Sequence, residues 1–438
     1  MEIVEPYKED IGNLISKNDR FTFLVGAGIS MNPPTRLPSA VEMALEIINH
    51  FAPKEEIKNI SSLRELRFEL LIEILQVCFD TNLEILNYFD IATEPNLIHL
   101  FLAHAIKKRE YIITTNFDYC IEYALKRILP QKEYHKILPV ITKNDFMQYN
   151  DPKKVFDRGS YPFYKLHGSK KNIITGANTE DSLVVRLSDL GKDREKGETF
   201  AIESYKKSAV NNLMKDRCLV VMGYSGSDDF DIVPLLKELP HLQKLIWIEH
   251  SSNRQANKGE LTVTRIKRVS AKSLKELQHN LDKINAVKID LFLAEIRSDV
   301  NYEVIKMIGN TQYIVQTVLQ SQILPKISLK MVDNELSLPP FGSWLSSKFP
   351  HLENFHRYDF AGTIYFALKK LKNALSCYIK GLQYTEKNKR MRAAFFQKIG
   401  NVYFELGDYD SAIKYFKESF KLEEKDLIRR FALYMSIG

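Results

Sequence analysis

The chain has 438 residues, 45% apolar and 27% charged, and carries a net charge of +7. That length accommodates roughly two or three domains, and the basic residues are spread out with no Lys/Arg block, which argues against nucleic acid as a partner. The opening MEIVEPYKEDIGNLISKNDR has no signal-peptide core, and no run reaches the roughly 18 apolar residues of a membrane span, so a soluble, cytoplasmic protein without membrane contact is expected. The four cysteines, Cys78, Cys120, Cys218 and Cys377, form no CxxC pair. Their spacing predicts neither a disulfide framework nor a thiolate zinc site.

In chain order, the first strong signal is FTFLVGAGIS (Phe21–Ser30), an apolar run ending in Gly26-Ala27-Gly28, followed by a helical pattern over Ser39–Phe51. Such a turn lets the backbone approach a pyrophosphate at a helix N-terminus. Amphipathic stretches follow at Leu63–Phe79 and Leu97–Lys108. Three later segments repeat the form of a strand entering a polar turn: YIITTNFD (Tyr111–Asp118), YKLHGS (Tyr164–Ser169) and LVVMGYSGSD (Leu219–Asp228). KLIWIEH adds another short apolar run that ends near Glu249. This alternation predicts an α/β fold, a Rossmann-like doubly wound parallel sheet over residues 1–255, with ligands beyond the carboxyl ends of its strands. Gly191–Gly197 (GKDREKG) reads as a charged surface loop.

Residues 256–350 are expected to form a helical bridge, although ELTVTRIKRV has the look of a final strand. Residues 351–438 hold an internal repeat. Gly362 and Gly400 correspond, as do Tyr365 and Tyr403, Ala374 and Ala412, and Tyr378 and Phe416. GTIYFALKKLKNALSCYIKGL and GNVYFELGDYDSAIKYFKESF resemble the tetratricopeptide repeat, whose usual period is about 34 residues. Small residues let paired helices approach, and stacking buries what one pair cannot bury alone. Met435–Gly438 matches Gln397–Gly400, so a third copy is expected to begin and be cut short.

A hydride-transfer fingerprint is not met. The third glycine of GxGxxG is replaced by Met31, and Glu42 and Glu46 fall inside a helix rather than at a strand end. In contrast, GAGIS, TTNFD and KLHG, in that order, resemble the sirtuin superfamily, and most of all its bacterial defence-associated branch, whose members hydrolyse NAD+ during phage infection. The resemblance covers roughly residues 10–255. It implies that Gly26, Ala27, Gly28 and Ser30 hold the NAD+ diphosphate, and that Asn116 contacts the nicotinamide ribose and positions water. It further implies that Asp118 shapes the nicotinamide pocket and that His167 is the general base. The four-cysteine zinc ribbon and the GIPDFR-like stretch of the protein-deacylating members are missing. That places acyl-lysine removal below hydrolysis, whereas only product analysis separates an ADP-ribosyltransferase from a hydrolase; Arg36 is a candidate for the missing nicotinamide-side contact.

The residue types suit the chemistry without the family. Breaking the nicotinamide C–N bond develops oxocarbenium character, which asks for an oriented ribose, a held water and a nearby base. An amide both donates and accepts, and an imidazole can take a proton at neutral pH. No step requires a metal. Gly223 and Ser225 are candidates for phosphate or ribose contact, and Glu249 for the adenosine ribose hydroxyls. Each has a plain structural alternative: a tight turn for the glycines, a helix cap for Asn116, Asp228 and Asp229, a backbone-bonded strand end for His167, a surface carboxylate for Glu249 and a buried small residue for Cys120. The expected function is an NAD+ glycohydrolase and antiphage effector. It would be homo-oligomeric and answer a phage or host protein trigger through the repeats. The alternative is a non-catalytic scaffold that binds NAD+ or ADP-ribose.

Overall fold

The computed structural model describes residues 3–10, 14–15, 19–186, 188–189, 202–224, 232–237, 241–251, 261–270, 272–274, 288–329 and 338–422. The charged loop Gly191–Gly197, Ser225, Asp228, Asp229 and the start of a third repeat lie outside these residues. The chain divides into two compact units, Met1–Ser39 with Phe89–Leu338 and Ala40–Tyr88 with Pro339–Gly438.

The first unit is built on a nine-stranded sheet: β1 (Val4–Pro6), β2 (Phe21–Val25), β3 (Tyr111–Thr114), β4 (Ile137–Val140), β5 (Tyr161–Lys165), β6 (Cys218–Met222), β7 (Lys244–His250), β8 (Thr262–Ile266) and β9 (Glu303–Gly309). Its spatial order is β1-β8-β9-β7-β6-β2-β3-β5-β4. Strands β4, β5, β3, β2, β6, β7 and β9 run parallel, and β8 and β1 add an antiparallel edge. The run β5-β3-β2-β6-β7-β9 is the 3-2-1-4-5-6 order of a doubly wound sheet, whose switch point lies between β2 and β6. Every residue of β2, β3 and β6 is buried, as expected of strands covered on both faces. At their amino ends Arg217 bonds the Phe21 carbonyl (Nε, 3.1 Å) and Glu110 (2.6 Å), while Glu110 also accepts the Phe21 N–H at 2.7 Å.

The helical-bridge expectation is corrected here. ELTVTRIKRV does form a strand, β8, but the stretch also supplies β9, which pairs along its whole length with β7. EVIKMIG is too short for period alone to separate a buried strand from a helix. The helix expected over Ser39–Phe51 is present as Ala40–Phe51, but it does not follow the glycine turn directly. Gly26 opens onto a single 3-10 turn, Ala27–Ser30, and Ala40–Phe51 is a helix of the second unit.

The second unit is helical. Asn354–Ala367 pairs with Leu371–Leu382, and Lys389–Glu405 with Tyr409–Leu422. The repeated glycines have a packing reason. A Cβ on Gly362 would meet the Tyr378 ring at 2.4 Å, and one on Gly400 would meet the Phe416 ring at 2.5 Å. The helices Ala40–Phe51 and Phe68–Cys78 join this array. Phe51 lies against Phe79, Phe349 and Phe360 with ring centroids 5.0, 5.2 and 5.8 Å away, and the Tyr365 hydroxyl donates to Glu56 at 2.8 Å. Among the described residues no helix is long and apolar enough to cross a membrane.

Candidate active site

The switch point is closed by glycines in backbone contact. Gly28 N–H donates to the Gly223 carbonyl at 2.8 Å, and Gly26 N–H to Met222 at 3.2 Å. A Cβ on Gly28 would lie 2.8 Å from the Gly223 Cα. Gly223 has φ +65°, and a Cβ there would lie 2.5 Å from the Ile29 nitrogen. These positions therefore need glycine for the approach of the β2 and β6 turns to one another.

Beyond the turn, Ser30 is buried at the centre of a hydrogen-bonded cluster. Its hydroxyl donates to Asp118 Oδ2 at 2.8 Å, accepts from Asn116 Nδ2 at 3.2 Å and meets His99 Nε2 at 3.1 Å. Asn116 Nδ2 also donates to Asp118 Oδ2 at 3.2 Å. The Asn116 amide nitrogen is thus held by two acceptors within the protein, and its carbonyl oxygen is the group left to accept. Asn116 does not cap the following helix, which begins at Cys120; Asp118 Oδ1 instead accepts the Cys120 N–H at 3.0 Å.

His99 was not singled out in the sequence. Asn96 caps the Leu97–Lys107 helix in a reciprocal box, its side chain accepting from Ile98 and His99 while its own N–H donates to His99 Nδ1 at 3.1 Å. Accepting at Nδ1 leaves the ring proton on Nε2, facing Ser30. Full burial lowers the His99 pKa to about 4, against an opposing pull from Asp118, so the ring is a neutral donor. This helix is buried almost all round rather than amphipathic, and that is why its histidine is hidden.

His167 follows β5 and is half-buried, its ring centroid 6.3 Å from that of Phe117. The turn is fixed at Gly168 (φ +70°), where a Cβ would strike the Ser182 carbonyl at 2.3 Å. Glu249 stands at the carboxyl end of β7, two strands from β2. It ion-pairs with Lys306 at 2.9 Å, which also holds Asp290 at 2.5 Å. The structure thus joins Gly26, Gly28 and Gly223 at one turn contact, and Ser30, Asn116 and Asp118 in one cluster. Ala27 lies in the connecting 3-10 turn, His167 and Glu249 on separate strand ends, and Ser225 outside the described residues. Arg36 is exposed, with φ 50°.

Residues 110–255 match the model of the SIR2-like domain. The chain carries a SIR2-like domain. The match begins at β3 and takes in Asn116, Asp118, His167 and Gly223, and the strand order brings the earlier glycine turn against it. Residues 393–426 match a tetratricopeptide repeat. No curated protein matches the chain.

In the same cluster, donor atoms of His99, Asp118 and Cys120 lie within 4.8 Å of one another. The set suits a hydrogen-bond network better than a metal. Both Asp118 oxygens and both His99 nitrogens are engaged by protein groups, and burial pushes the Cys120 thiol pKa well up, keeping it protonated. Beneath the Asn116–Asp118 turn lies a buried ion pair, Lys165 with Glu122 at 3.2 Å. Burial raises the Glu122 pKa, and Lys165 opposes that shift.

Proposed function

We propose that this chain hydrolyses NAD+ to nicotinamide and ADP-ribose. The observation that carries the reading is the Ser30–Asn116–Asp118 cluster at the switch point of a SIR2-like sheet, with His167 on a neighbouring strand end. Asp118, anchored by the Cys120 N–H, holds the Asn116 amide by its nitrogen, so that the carbonyl oxygen accepts from the substrate's ribose hydroxyl or from water. The nicotinamide C–N bond breaks with its electron pair leaving on the ring nitrogen, which loses its positive charge. Water then adds to C1′ of the ribose, and its proton passes by way of a ribose hydroxyl to the His167 imidazole and on to solvent. The glycine turn and Gly223 offer closely packed backbone to the diphosphate, and Glu249 is the acceptor offered to the adenosine ribose. The chain's own residues orient, accept and deprotonate, and no step needs a metal.

The physiological reading is an antiphage effector that depletes NAD+ on infection and is triggered by a phage or host protein at the helical unit. Stacked helix pairs make extended protein-binding surfaces, and a homo-oligomer is the proposed active form. The chain path supports regulation. It leaves the α/β unit after Ser39 and returns at Phe89, between Ser30 and the Asn96–His99 cap of the same cluster.

The test is NAD+ consumption with chromatographic resolution of products, for wild type, Asn116→Ala and His167→Ala, alone and in lysate of phage-infected cells. Nicotinamide plus ADP-ribose, falling by about 10²–10⁴-fold in His167→Ala, is the expected result. NAD+ binding without turnover under every condition would leave the scaffold as the better account, and a protein-bound ADP-ribose product would point to a transferase.

A further inference from the structure

We propose that Lys165 is a positioning residue that fixes the Asn116 turn against the His167 turn. This rests on the hydrolase reading above. The two groups come from different strands, β3 and β5, whose ladder ends at Thr114 paired with Lys165, followed by the Leu166 N–H donating to the Thr114 carbonyl at 2.8 Å. Past that point the Lys165 ammonium carries the connection. It reaches across to the Asp118 carbonyl at 2.6 Å and to Glu122 Oε1 at 3.2 Å, over the Tyr119 ring at 4.8 Å. The Lys165 and Glu122 side chains are each only 1% exposed. One residue, two positions before His167, therefore grips the backbone two positions after Asn116.

The His167 side of the arrangement is held in the same way. Lys206, also buried, donates to the Leu166 carbonyl at 2.6 Å and pairs with Glu203 at 2.8 Å. The peptide unit just before His167 and the one that follows Asp118 are each held by an ammonium. A buried ion pair is a poor way to stabilise a fold, because well-packed apolar residues do as well or better. In this proposal the pair instead fixes a geometry, and misplacement of a reacting group by about 1 Å can cost on the order of 10²-fold in rate. Lys165 touches no reacting atom in this account; it acts through the Asp118 backbone.

The experiment compares Lys165→Met, Glu122→Gln and the double variant Lys165→Met/Glu122→Leu in the full chain. Each is followed by NAD+ kinetics, thermal unfolding and hydrogen exchange of the Asn116–Cys120 amides. In Lys165→Met, kcat is expected to fall about 10²-fold with KM within about threefold of wild type, and those amides to exchange faster. Glu122→Gln keeps the Lys165 bond to Asp118 and should stay within about threefold in kcat. The double variant removes both charges. It should recover the melting temperature while keeping the kcat loss and the fast exchange, which a merely structural pair would not do. Recovery of kcat together with stability in the double variant would overturn the proposal. So would failure of both Lys165 variants to fold, or a Glu122→Gln loss equal to that of Lys165→Met. If wild type turns over no NAD+ at all, the hydrolase reading fails. Faster exchange at Asn116–Cys120 in a folded double variant would still uphold the positioning role, and unchanged exchange would refute it.

Discussion

The buried, neutral His99 makes the stability of the α/β unit depend on pH in a calculable way. Its ordinary value of 6.5 falls to about 4 in the fold because burial penalises the cation more than Asp118 favours it. Holding the ring neutral over that interval is worth about 3 kcal/mol. The sign follows from proton counting. Between pH 6.5 and about 4 the unfolded chain binds a proton that the folded chain refuses, so this contribution is complete above 6.5 and disappears as pH falls toward 4. A proton on Nδ1 would also set two donors against each other, since that nitrogen accepts from Asn96 N–H. His50, His104, His250 and His356 are also lowered by burial, so the informative quantity is a difference between proteins. His99→Gln cannot titrate, yet it keeps an amide donor for Ser30. Urea denaturation of wild type and His99→Gln across this pH range should give curves that converge by about 3 kcal/mol toward acid pH. Parallel curves, or a His99 ring resonance titrating near 6.5 by NMR, would refute the argument.

Gly28→Ala must push its new Cβ away from the Gly223 Cα at 2.8 Å, at a cost of about 1–3 kcal/mol measured as a lower urea midpoint. Gly223→Ala should cost more, because strain at φ +65° adds to a 2.5 Å approach to the Ile29 nitrogen. In the helical unit, Tyr365→Phe removes the 2.8 Å hydrogen bond to the buried Glu56 carboxylate. The expected loss is about 1–3 kcal/mol, seen as a lower melting temperature for that unit.

Much of the sheet was legible because parallel strands covered on both faces are unbroken apolar runs. FTFLV, YIITT, FYKLH, LVVMGY and KLIWIEH correspond to β2, β3, β5, β6 and β7. β4 escaped notice because ILPV is short and contains Pro139, which fits only an edge, and β4 is the edge strand. β9 was hidden among helical periods. The glycines stood out, but their reason did not: nothing in GAGIS says that Gly28 will lie on Gly223. His99 was harder still. Asn96 before an apolar run is a readable cap signal, whereas the reach of the third helical residue to Ser30 is a tertiary fact. Lys165 sat in plain view within KLHG, and only the burial of its ammonium gives it meaning. The Gly–aromatic repeat was legible because the same close contact recurs in sequence. The recruitment of Ala40–Tyr88 was not, since those helices do not share its pattern.

That recruitment changes what the crossover from β2 to β3 does. A parallel connection needs one helix against the sheet, and Leu97–Lys107, buried almost all round, fills that place. The preceding helices are therefore free of the sheet's requirements and can belong to the repeat array. The cost of such an excursion is two chain crossings that must be held together. Thr35 donates to the Glu94 carbonyl at 2.7 Å, and the Asn96 amide donates to the carbonyls of Ile29 and Asn32 at 2.7 and 3.2 Å. These bonds clamp the outgoing segment to the returning one. They also belong to the residues that present Ser30 and His99 to Asn116 and Asp118.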